Sequence, residues 1–131
     1  IDEIDAVICD ESQKLKNTKA NTYKNFNRTF NKLLFKSCKI SKIFLSGTPA
    51  PNRAYELYTV LNQISPLDFP TKEYFYEYYC GMIYDHDSGW GYTTNNAEAK
   101  LEELYHKAAP YTHRKRKFEV LKDLPDKIYQ K

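Results

Sequence analysis

A chain of 131 residues with 41% hydrophobic and 28% charged residues, and only 4 Gly and 6 Pro, has the balance of one folded domain with a modest core, which excludes disorder over its whole length. No apolar run nears the roughly 20 residues of a membrane-spanning helix, and the acidic opening Ile1-Asp2-Glu3 is unlike a basic export signal, so an intracellular protein with no membrane partner is expected. The net charge of +3 is too mild to argue for nucleic acid by itself, and Cys9, Cys38 and Cys80, scattered and without a CxxC pair, suggest neither a disulfide framework nor a zinc site. The absence of an initiating Met leads to the expectation of a piece of a longer protein.

Residues Ile4 to Asp10 form a short apolar, β-branched run ending in Asp10-Glu11, which predicts a buried strand. From Asn17 the period changes: Tyr23, Phe26, Phe30, Leu33 and Leu34 recur at helical spacing, with Thr18 as a cap. Lys42 to Ser46 is a second strand, closed by Gly47-Thr48-Pro49. Strand, helix, strand is a βαβ unit, so a parallel sheet follows, and two strands alone would leave an exposed edge. A second helix carries Leu57, Tyr58, Leu61 and Ile64 and stops at Ser65-Pro66. An aromatic-rich helix runs from Phe69-Pro70-Thr71 to about Tyr79, and the stretch Gly81 to Asn96 has no period and reads as a loop. Asn96 is expected to cap a last helix with Ala97, Leu101, Leu104, Tyr105 and Ala108 as its buried stripe, stopped at Pro110.

Ligands of an open parallel sheet bind beyond the carboxyl ends of its strands. Asp10 and Glu11 close the first strand, and Ser46, Gly47 and Thr48 close the second, so the two clusters should face each other. A carboxylate there suits Mg²⁺, a hard cation that prefers oxygen ligands, and its neighbour can polarise a water for attack on a phosphate. A lone Asp-Glu pair more often just begins a turn.

The words in order carry more weight. Asp10-Glu11-Ser12-Gln13 with Leu15-Lys16-Asn17, then Leu45-Ser46-Gly47-Thr48-Pro49 and Asn52 with Glu56-Leu57, resemble motifs II and III of the Swi2/Snf2 family of helicase-like DNA-translocating ATPases. Arg114-Lys115-Arg116-Lys117 ahead of Leu124-Pro125-Asp126-Lys127 is similar to that family's basic segment, and Tyr79-Cys80 through Trp90-Gly91-Tyr92 resembles its annealing-helicase branch. The resemblance implies an α/β fold: the C-terminal part of a RecA-like (P-loop NTPase) parallel-sheet lobe. Residues 1–50 would be the βαβ core with motifs II and III, 51–112 a helical insertion after motif III, and 113–131 a basic segment leading toward a second lobe.

It also implies roles. Asp10 would hold the Mg²⁺ of MgATP through water, and Glu11 would orient or activate the attacking water. Ser12, Gln13, Ser46, Gly47 and Thr48 would couple nucleotide state to the DNA-binding surface, with Gln13 standing where a histidine is common. Arg114, Lys115 and Lys117 would contact nucleic acid or the other lobe, Lys115 where a second Arg is usual. The cofactors would be ATP and Mg²⁺. The partners would be double-stranded or forked DNA, the N-terminal part of the first lobe and the second lobe. The setting would be cytoplasmic in a bacterium or phage and nuclear in a eukaryote. No Gly-x-x-x-x-Gly-Lys-Ser/Thr loop occurs in these residues, and the second lobe supplies the family's arginine finger, so the parent is expected to hydrolyse ATP and this chain alone is not. The alternatives are a non-catalytic DNA- or protein-binding module with a degenerate helicase fold, and another superfamily-two helicase.

Other candidates fare worse. Asp85, His86 and Asp87 resemble a metal triplet but read as a solvated loop tip, His106 as a surface side chain, and Tyr74 to Tyr79 as core packing rather than a base-stacking platform. The cluster His113 to Lys117 divides evenly between a solvated basic face and a phosphate or lobe contact.

Overall fold

The computed structural model describes residues 4–36, 40–50, 52–86, 91–94, 99–115 and 119. Strand β1 (Ala6–Cys9) pairs in parallel with β2 (Ser41–Phe44), with Ile8 opposite Ile43, and helix α1 (Asn21–Lys36) makes the crossover. This is the expected βαβ unit, a mixed α/β arrangement around a small parallel sheet. Pairing continues past both strands, because Ser41 N–H donates to the Asp5 carbonyl and Leu45 N–H to the Cys9 carbonyl, each at 2.8 Å.

Helix α1 begins two residues later than a cap at Thr18 implies. Asn17 Oδ1 accepts the Lys19 N–H at 2.9 Å and its carbonyl accepts Ala20 N–H, so Asn17 builds a turn of its own and Ala20 supplies the first helical acceptor, to Lys24 N–H. The inner face of α1 sets Phe26 against Phe30 and Phe44, with ring centroids 5.4 and 6.0 Å apart. Lys42 Nζ crosses the Phe30 ring and donates to the Gln63 carbonyl at 2.7 Å, tying the sheet to the end of α2 (Tyr58–Ile64). The strands are not buried on both sides as the apolar runs suggest. Burial alternates along each, and Ile8, Ile43 and Leu45 lie on the open face, because α1 covers the other one.

The main core lies beyond the sheet. Tyr58, Leu61, Phe69, Phe75, Tyr76, Tyr79, Cys80, Met82, Leu104 and Ala108 form one buried cluster, which explains the heavy use of Tyr and Phe after residue 54. Thr71 Oγ1 accepts the Tyr74 N–H at 3.2 Å and starts α3 (Lys72–Tyr74), which widens into a π-type turn, Phe75–Tyr79. That widening puts Phe75, Tyr76 and Tyr79 inside together, as core packing requires. Burial also pushes the Cys80 thiol up to about 11, so it stays protonated and inert at neutral pH.

Two expectations fail here. The stretch read as a loop contains an antiparallel hairpin, β3 (Met82–Asp85) with β4 (Gly91–Thr94), Met82 opposite Thr94. Gly81, at φ 59, makes the turn into it, and cross-strand rings, Tyr84 against Tyr92 at 5.3 Å, supply a signal that period-two hydropathy misses. Helix α4 starts at Leu101 and continues to Ala108, followed by a 3-10 turn, Ala109–Tyr111. Leu104 and Ala108 are buried, but Leu101 and Tyr105 are exposed, so the buried stripe is narrower than its spacing suggested. Asn96, Ala97 and Trp90 lie outside the described residues, as do Cys38, Asp87, Arg116 and Lys117 and the Leu124-Pro125-Asp126-Lys127 words. Among the described residues no helix is long and apolar enough to cross a membrane.

Candidate functional site at the carboxyl ends of the parallel strands

Both predicted clusters leave the sheet on one side, and the chain itself joins them. After β1 the backbone turns sharply: Glu11 sits at φ 53 and ψ 43, the one non-glycine with positive φ among the described residues. A left-handed Glu costs about 1–2 kcal/mol, so the surroundings must hold it. Asp10 Oδ1 accepts the Glu11 N–H at 2.8 Å, the Glu11 carbonyl accepts Lys14 N–H at 3.0 Å, and Ser12 N–H donates to the Leu45 carbonyl at 2.9 Å. The last of these stitches the motif after β1 to the one after β2, and Ser12 is buried by it.

The side chains continue the link. Glu11 Oε2 accepts Gln13 Nε2, Gln13 Oε1 accepts the Ser46 hydroxyl at 2.6 Å, and Ser46 Oγ accepts the Thr48 N–H at 3.1 Å. Three of the coupling candidates, Gln13, Ser46 and Thr48, therefore form one hydrogen-bonded chain with Glu11 that begins at a carboxylate and ends at the backbone of Thr48. A glutamine performs this relay because its amide donates one way and accepts the other. Gly47 is exposed between Ser46 and Thr48, with open space where a Cβ would stand. Asp10 and Glu11 are both exposed.

Sequence reading missed a second tie. Glu56 is buried at 5% exposure, yet Lys16 Nζ lies 2.8 Å from its Oε1, Asn52 N–H donates to Oε2 at 3.2 Å, and Asn52 Nδ2 reaches Oε1 at 3.3 Å. Lys16 follows the first motif and Asn52 the second, so this buried carboxylate ties the two loops together. Burial pushes the Glu56 carboxyl up, but the donors of Lys16 and Asn52 outweigh it and hold the group below its ordinary value. The stability from this depressed carboxyl is complete above the unfolded carboxylate range, about 4.3, and is lost as pH falls through the folded value. Glu56→Gln is therefore expected to lower unfolding free energy by about 2 kcal/mol at pH 7 and by progressively less as pH falls through the folded value, read from urea melts across an acidic pH series.

Arg114 and Lys115 are exposed on the stretch after Tyr111, and none of the hydrogen bonds described above joins them to the site. His106 is exposed, and among the described residues no three metal-ligating side chains converge; Asp87 of the Asp85-His86-Asp87 triplet lies outside them.

A family model described as SNF2-related domain matches residues 1–131. The chain belongs to the SNF2-related domain family. Curated relatives similar to this SNF2-related chain include the chromatin-remodeling ATPase INO80 of Cryptococcus neoformans, 32% identical over 93% of the chain and 6% of that protein. Those of Aspergillus oryzae and Candida glabrata are each 30% identical over 93% of the chain and 8% of the protein. The chain thus spans less than a tenth of the length of these relatives. No solved structure matches this SNF2-related chain.

Proposed function

We propose that the chain is the part of an ATP-driven, double-stranded-DNA-translocating remodeller that supplies the metal-holding and water-activating carboxylates, within the C-terminal portion of a RecA-like lobe. The observation that carries this is the hydrogen-bonded chain from Glu11 through Gln13 and Ser46 to Thr48, which ties a carboxylate fit for activating water to the loop after the neighbouring strand. A shift of Glu11 against a bound phosphate is felt at Thr48 without passing through the core.

The donor set suits MgATP. Asp10 offers an exposed hard oxygen at the sheet's carboxyl edge, Oδ1 being already engaged by the Glu11 amide, and water-mediated Mg²⁺ binding asks for no more than that. The metal, when bound, neutralises charge on the transferring phosphoryl group. Glu11 would accept a proton from the attacking water, and Gln13 holds that carboxylate in place. The phosphate-cradling loop and the arginine finger would come from outside these residues, so the chain alone would not turn over ATP. DNA would be held mainly through its phosphates, without sequence preference, and the fungal relatives favour a nuclear setting over a bacterial one.

The test is ATP hydrolysis by the intact protein that contains this chain, measured with duplex DNA, single-stranded DNA and RNA. Strongest stimulation by duplex DNA is expected; RNA as the best activator would reject the substrate assignment. Within the relay, Gln13→Ala is expected to reduce DNA-stimulated turnover about tenfold and unstimulated hydrolysis by less, because it disconnects Ser46 and Thr48 from Glu11 and loosens the base without removing it.

A further inference from the structure

The modest net charge conceals a strong segregation. From Ser12 to Tyr55 the sequence holds ten Lys and Arg and no Asp or Glu, so the other residues, with ten basic against seventeen acidic, carry a net charge of −7. A genome-wide preference for Lys and Asn enriches lysine, but it does not empty one stretch of carboxylates while packing them elsewhere. Helix α1 lies in the middle of that stretch and has no acidic residue at all. Its inner face is committed to Phe44 and the sheet. Its outer face presents Lys24, Arg28 and Lys32, all exposed and each four residues after the last, so they form one row with a rise of about 6 Å per step. Asn21 and Asn25, also exposed, flank the row with further donors.

Like charges at this spacing repel, and no carboxylate on the helix relieves them, so the row costs the isolated fold stability and a bound polyanion would return it. We propose that the outer face of α1 is a docking surface for the phosphate backbone of double-helical DNA. Evenly spaced cations with amide donors match a regular line of phosphates. Phe35, 93% exposed, is the one large apolar side chain on that face, too little for the clustered anchors that a protein partner requires. These residues are distinct from Arg114, Lys115 and Lys117, for which a contact with nucleic acid or with the other lobe is expected from sequence. The α1 surface deepens the DNA-motor reading and rests on it.

The experiment uses the intact protein containing this chain and a random-sequence 30-base-pair duplex, with binding followed by fluorescence anisotropy from about 50 to 200 mM salt. The triple variant Lys24→Gln/Arg28→Gln/Lys32→Gln is expected to bind at least tenfold more weakly at low salt. The slope of log affinity against log salt should fall by about 2 to 3, since each lost phosphate contact removes about 0.9. All three side chains are exposed and the triple variant removes their mutual repulsion, so a thermal unfolding midpoint equal to or slightly above the parent's is expected, and the charge-preserving variant Lys24→Arg/Lys32→Arg should bind like the parent. Unchanged affinity and slope in the triple variant would overturn the assignment, as would polyglutamate competing as well as duplex DNA, or a wild-type protein that does not bind duplex at all. The two readings fail separately: duplex binding that depends on α1 without ATP turnover would sink the motor and keep the surface, and DNA-stimulated turnover with an indifferent triple variant would do the reverse.

Discussion

Glu11→Gln in the intact protein is expected to lower ATP turnover by about 10²–10⁴-fold, the usual contribution of a positioned general base, while nucleotide affinity stays within a few-fold. The amide is nearly the same shape and can still bond to Gln13, so the relay's geometry survives and what disappears is the ability to accept a proton. The side chain is exposed, and the left-handed backbone at Glu11 is equally strained with Gln, so unfolding free energy should change by no more than about 0.5 kcal/mol. Steady-state hydrolysis, nucleotide binding and a urea melt on the same preparation separate these effects. Turnover that persists within threefold of wild type would remove Glu11 from the chemistry and with it the main support for the motor reading. A second substitution at this position sharpens the point. Glu11→Gly relieves the left-handed strain but loosens the unfolded chain, effects of similar size and opposite sign, so a protein of near-native stability and no turnover is expected.

The largest effect on stability is expected from Phe75→Ala, at about 3–5 kcal/mol. Phe75 is fully buried, and its ring meets Tyr58, Phe69 and Tyr79 with centroids 5.6, 5.9 and 5.4 Å away. It sits where the helix widens into the π-type turn, so neighbouring rings cannot close the void without undoing the turn that aligns them. Domains are stable by only about 5–15 kcal/mol, so the variant would stand close to unfolding. Tyr105→Ala is the matched control: its spacing marked it for the core, but at 71% exposure it should cost no more than about 0.5 kcal/mol in the same denaturant titration.

Tyr105 and Phe75 show how far periodicity reaches. Hydrophobic spacing located each helix, yet it could not tell which apolar residues of α4 meet a partner, because that depends on where the other elements stand. Gly81 to Asn96 failed for the opposite reason. Its strands are four residues each and owe their pairing to rings across the hairpin, a contact between segments that no window along the chain records. The open face bearing Ile8 and Ile43 also eluded prediction, since an apolar strand reads the same whether one face or both are covered.

The site divides in the same way. The order of residues alone determined that Asp10-Glu11 and Ser46-Gly47-Thr48 follow two parallel strands, and so that both emerge at one edge, because a βαβ crossover admits a single arrangement. Tertiary structure decided the rest: that Gln13 meets Ser46 across 33 residues, that Lys16 meets buried Glu56 across 40, and that Glu11 is held at positive φ. Local sequence encodes what neighbours along the chain can do to one another. A hydrogen bond between distant side chains exists only after packing has removed the water that would otherwise satisfy both.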